Sequence, residues 1–189
     1  ASSVRTLTSS GAWRVASRAS RACPMRATAS RDWPALVEAA ELSLALQPSR
    51  ERHLETTQQG GSFLDQVRAA WPAPLVADAV AALSARGLAE PTAYPIAFGI
   101  AAGAHGVTGR PALTALGLGF IGNLVSAAIR LSVLGQTDGQ RVIAALADVV
   151  AEGAARAEVA TLADLGSAAF LSDLMAIEHE TQQTRLFRS

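Results

Sequence analysis

From Asp32 onward, apolar residues recur at the three- and four-residue spacing of a helix face, and proline and glycine punctuate the runs. Trp33, Leu36, Val37, Ala40 and Leu44 mark the first run, with Asp32 placed to cap it and Pro34 in its first turn. Gln47-Pro48-Ser49 ends it. Ser49 then opens a more polar helix toward Trp71, with Leu54, Thr57, Gly61 and Leu64 on a narrow stripe. The Trp71-Pro72-Ala73-Pro74 break leads into a third helix through Leu75, Val76, Val80 and Leu83, with Gly87 just past its end. Residues 95–106 run apolar from a proline start to a glycine stop, and 111–135 form a longer apolar helix after Thr108-Gly109-Arg110. Asp138 is placed to cap the next, which carries Val142, Ile143, Leu146, Val149 and Val150. A last helix near residues 167–180 carries Phe170, Leu174 and Ile177. No segment alternates as a strand does. The expectation is an all-α, compact single-domain bundle of about seven or more helices with short connections.

Residues 1–31 break this order. They are rich in Arg, Ser and Ala, hold Arg5, Arg14, Arg18, Arg21, Arg26 and Arg31, and contain no acidic residue. Read literally, that composition suits a transit peptide; the simpler expectation is a disordered or aberrant segment preceding a helical domain over 32–189. No segment has the pattern of a secretory signal.

Composition narrows the chemistry. The 189-residue chain is 50% apolar and has formal net charge +0, so beyond residue 31 it is mildly acidic. An acidic body argues against nucleic-acid binding, which requires a basic face. Every basic residue other than histidine is arginine; the absence of lysine removes P-loop nucleotide hydrolysis and Schiff-base chemistry. Cys23, the single cysteine, excludes an intramolecular disulfide framework and a cysteine-based zinc site, and fits a reducing compartment.

Four patterns resemble sites. The 111–135 helix has the ~20 apolar residues of a membrane span. Asn123, Ser126 and Arg130 occupy its second half, however, and a central arginine costs about 2.5–3.5 kcal/mol on insertion. It reads as the buried core helix of a bundle, with Arg130 needing a partner; the alternative is a small membrane-associated protein built on 95–135. Gly117, Gly119 and Gly122 spell GxGxxG but follow no strand, so they read as small residues for close helix contact, as do Gly99 and Gly103. His179-Glu180 begins a zincin motif, but Gln183 stands where the second histidine belongs. His53 and His105 are scattered, and Glu51 with Glu55 reads as a solvated helix face. No catalytic centre and no metal or cofactor site emerges, and the chain reads as a non-enzyme.

The C-terminus is different in kind. Leu186 and Phe187, flanked by Arg185 and Arg188 before Ser189, suit a docking segment with an aromatic anchor and guanidinium hydrogen bonds around it; a frayed end is the other reading.

Four stretches in order resemble the UreF family of urease accessory proteins. They are Ser49-Arg50-Glu51 with Glu55 through Gly60, Tyr94 through Gly99, Ser126 through Gln140, and His179-Glu180 with the Arg185–Ser189 tail. The resemblance implies a cytoplasmic, helical, homodimeric scaffold with no cofactor of its own. Such a scaffold joins UreD (also called UreH) and the GTPase UreG, and helps insert nickel into apo-urease, the nickel being handled by the complex. It also implies that the tail orders on the UreD-type partner. A partner-binding role is therefore carried to Arg185, Leu186, Phe187, Arg188 and Ser189, and to His179 and Glu180. The resemblance fails in residues 1–31, where the family's apolar helix and Gly-aromatic-Ser type motif have no match. A frameshifted or misassigned start would leave such text.

Overall fold

The computed structural model describes residues 23–161, 164–165 and 169–181, and among these every regular element but a single 3-10 turn is α-helical. The helices are α1 (Pro24–Ser30), α2 (Trp33–Ala45), α3 (Arg50–Ala70), α4 (Pro74–Ser84), α5 (Tyr94–Ala104), α6 (Arg110–Arg130), α7 (Gln136–Val159) and α8 (Phe170–His179). The all-α expectation holds.

Local chemistry sets most boundaries. The Asp32 carboxylate accepts from the Ala35 amide and the Ser49 hydroxyl from the Arg52 amide, so α2 and α3 start where side-chain acceptors meet orphan N–H groups. Proline in the first turn begins α4 and α5. After α4, the Gly87 amide donates to the Ser84 carbonyl and the Leu88 amide to that of Leu83, with Gly87 left-handed at φ 69°. Gly106 closes α5 in the same way, through the Gly103 and Ala102 carbonyls.

Two boundaries differ from expectation. The apolar run over 111–135 is not one helix: it stops at Arg130, and Ser132 takes the left-handed turn at φ 59° that glycine usually fills. Its amide donates to the Ile129 carbonyl and that of Val133 to Ala128, so the last carbonyls of α6 are satisfied. Asp138 does not cap α7, because the helix begins at Gln136; Asp138 lies in the first turn, paired with Arg141 at 2.9 Å.

The core lies among α2, α3, α4 and α5, with α1 laid across α5. Leu36, Leu83 and Ile100 are fully buried, each side chain contributing about 1.5–3 kcal/mol by leaving water. Phe63, Tyr94 and Phe98 stack beside them, with ring centroids 5.5–6.5 Å apart. The α1 contact differs from the expectation of a disordered 1–31. Its described part is helical, with Met25, Ala27 and Thr28 buried; residues 1–22 lie outside the described residues. Gly99 and Gly103 make this possible, since a Cβ on Gly99 would strike Pro24 and one on Gly103 the Met25 carbonyl. Both glycines therefore serve close helix approach, as their spacing suggests.

The α6–α7 pair stands beside this core as an antiparallel hairpin. Gly117 packs under Val150 near its middle, and Gly139 under Val125 and Ile129 near the turn. At the open end Glu158 accepts from Arg110 through backbone N–H, Nε and Nη2 at 3.0–3.3 Å. Those hydrogen bonds hold the Glu158 pKa below the ordinary carboxylate value.

Candidate partner-docking surfaces

The polar helix α3 and the C-terminal helix α8 meet at their ends. Ser49, the N-cap, sets the first turn of α3 with its amides pointing outward. The Glu180 carboxylate accepts from the Arg50 amide at 2.8 Å, and His179 Nδ1 lies 2.6 Å from Glu51 Oε2. A carboxylate at a helix N-terminus is favoured by both the orphan N–H groups and the helix dipole. Beneath this junction is an open cleft of about 880 Å³ lined by Gln47, Pro48, Ser49, His53, Leu54 and Ile177.

Two of the sequence-selected residues, His179 and Glu180, are thus placed together. Arg185, Leu186, Phe187, Arg188 and Ser189 lie outside the described residues. Glu51 is the residue that sequence reasoning missed. Taken for a solvated face, its side chain is only 20% exposed and engages His179. Glu55 does keep to the surface, with Arg52 and Gln59. The signals for Glu51 were its place beside the cap and its membership of the Ser49-Arg50-Glu51 stretch.

The second surface is apolar. Helix α6 is not the buried core helix its hydropathy suggests: the span-like window within Arg110–Arg130 is 11% buried. One side rests on α7, while Phe120 (62% exposed) and Leu124 (52% exposed) face outward. Arg130, expected to need a partner, is exposed at the helix C-terminus, where a cation suits the dipole. Of the GxGxxG glycines, Gly117 does serve helix contact, but Gly119 and Gly122 have open space where a Cβ would go. Between α6, α7, α3 and α5 runs a groove of about 850 Å³, lined by Phe63, Tyr94, Leu116, Phe120 and Val150.

By length and composition α6 could cross a membrane. Its partner α7 argues against that. Arg141, Glu152 and Arg156 of α7 are about three-quarters exposed, and a spanning hairpin would draw these charges into hydrocarbon. Among the described residues no three His, Cys, Asp or Glu side chains are grouped to hold a metal ion.

The stretches that resembled one family prove to be contacts. The Ser49-Arg50-Glu51 stretch meets His179-Glu180. Gly60 lies against the backbone of Thr92, Ala93 and Tyr94, and the Thr56 hydroxyl accepts from the Tyr94 amide at 3.2 Å. Ile129 meets Gly139 within the 126–140 stretch.

The fold and these surfaces define a helical bundle with a long apolar hairpin face left uncovered. The profile of the UreF family matches residues 6–147, beginning inside the segment that looked atypical. Similar curated proteins are urease accessory proteins UreF. That of Methylobacterium radiotolerans is 53% identical over 86% of this chain and 69% of its own length. That of Xanthobacter autotrophicus is 54% identical over 87% and 65%, and that of Methylorubrum populi 50% identical over 89% and 73%. The chain therefore spans about two thirds of the length of these relatives. It belongs to the UreF family of urease accessory proteins.

Proposed function

We propose that this chain acts in urease maturation as a cytoplasmic scaffold. It associates with itself and joins a UreD-type protein and the GTPase UreG, so that nickel reaches apo-urease within the complex. Family membership supports the role, and the observation that carries the scaffold reading is the uncovered apolar face of α6 beside the 850 Å³ groove. That face is the surface of self-association. The C-terminal tail, with Leu186 and Phe187 between Arg185 and Arg188 before Ser189, is the segment that meets the UreD-type partner, together with His179 and Glu180 beside the first turn of α3.

Co-purification with the UreD-type partner tests the tail. The intact chain is expected to retain the partner, whereas a chain ending after Gln183 loses at least about tenfold in affinity, as removal of an aromatic and arginine anchor implies. Equal retention by both would remove the tail from the interface.

A further inference from the structure

Helix α8 is attached in an unusual way. It is ten residues long, and none of its residues is buried. Phe170 is 77% exposed, and Leu171, Leu174, Met175 and Ile177 are about half exposed or more. A helix shorter than about 12–15 residues is marginal in water without tertiary support. Its principal neighbour is α3, and the described polar contacts between the two lie at one end, His179 to Glu51 and Glu180 to the Arg50 amide.

We propose that α8 is a hinged strap, held closed over the start of α3 by the His179–Glu51 and Glu180–Arg50 contacts. Opening it uncovers the first turn of α3 and the cleft beside it, with the Arg50 amide, Glu51 and His53. Because α8 contributes nothing to the core, the bundle stays folded in either state; the same lack of burial places the closed form near the low end of local stability. The inference stands apart from which partner the tail meets.

Hydrogen exchange of the full chain, read by mass spectrometry, tests it. Glu51→Ala lies on α3, so it removes the contact without changing the helix propensity of α8. It is expected to speed exchange across residues 169–181 by about two- to fivefold, the effect of one partly exposed hydrogen-bonded pair. His179→Ala should do the same, and the double variant should fall short of the sum of the two, because they share the His179–Glu51 contact. Peptides from α5 should be unchanged in all three, showing that the core is intact. Two results would overturn the proposal: Glu51→Ala leaving 169–181 unaltered, or residues 169–181 of the unsubstituted chain exchanging at the rate of an unstructured peptide.

Discussion

Gly60 and Gly61 are neighbours in sequence with opposite structural roles. A Cβ on Gly60 would overlap the Thr92 carbonyl oxygen and lie 2.8 Å from backbone atoms of Ala93 and Tyr94, whereas one on Gly61 would meet nothing within 4 Å. Backbone cannot move aside as a flexible side chain can. Gly60→Ala is therefore expected to destabilise by about 1–3 kcal/mol through overpacking. Gly61→Ala should stabilise by about 0.5–1 kcal/mol through helix propensity alone. Urea midpoints of the two variants decide the matter, and a Gly60→Ala protein as stable as its parent would disprove the close crossing. The sequence places Gly61 on the stripe of this polar helix and gives Gly60 no role; the structure reverses the two, because a crossing depends on what lies across from it. Caps are another matter. Asp32, Ser49, Gly87 and Gly106 are readable because each acts on backbone groups a few residues away. Ser132 escapes that logic: it turns the chain left-handed where no glycine gives warning.

At the level of elements, the α6–α7 hairpin is held by apolar contact along its length and by the Arg110–Glu158 pair at its open end. The Arg110 hydrogen bonds lower the Glu158 pKa from its ordinary 4.5, so the folded state binds this proton less readily than the unfolded chain. The pair's contribution is whole above pH 4.5 and is lost as pH falls through the lowered value. Glu158→Gln should therefore reduce the urea midpoint at pH 7, and the gap between variant and parent should close as pH falls through the lowered value and the parent's carboxyl protonates. A gap constant with pH would show that the charge is idle. Existence and type of these helices follow from periodicity, but their surroundings do not. High hydropathy makes α6 look like core, yet core is a property of what covers a helix, and here only α7 lies against it in force. Conversely, α1 lies in Arg- and Ser-rich text without a visible stripe, and it is buried because Gly99 and Gly103 leave a slot its width.

For the molecule as a whole, the question is what meets the outer face of α6. Scattered exposed apolar residues are ordinary on any surface, but Phe120 and Leu124 are neighbours on one helix face, beside an apolar groove. Under the self-association proposed above, a second copy of the chain would supply a matching apolar face, and the open space at Gly119 and Gly122 leaves room for a partner helix to come close. Leu124→Glu puts a charge on that face without touching the core, since Leu124 is already 52% exposed. The variant should keep the parent's melting temperature as a monomer-level property and its helical circular dichroism, while sedimentation shows loss of self-association by at least about tenfold, the cost of desolvating an unpaired carboxylate at an interface. The control is Arg141→Glu on the solvent side of α7, which reverses a charge away from the face and should leave sedimentation unchanged. If Leu124→Glu sediments like its parent while Arg141→Glu does not, the copies meet through α7, and the apolar face of α6 is left for the other members of the complex.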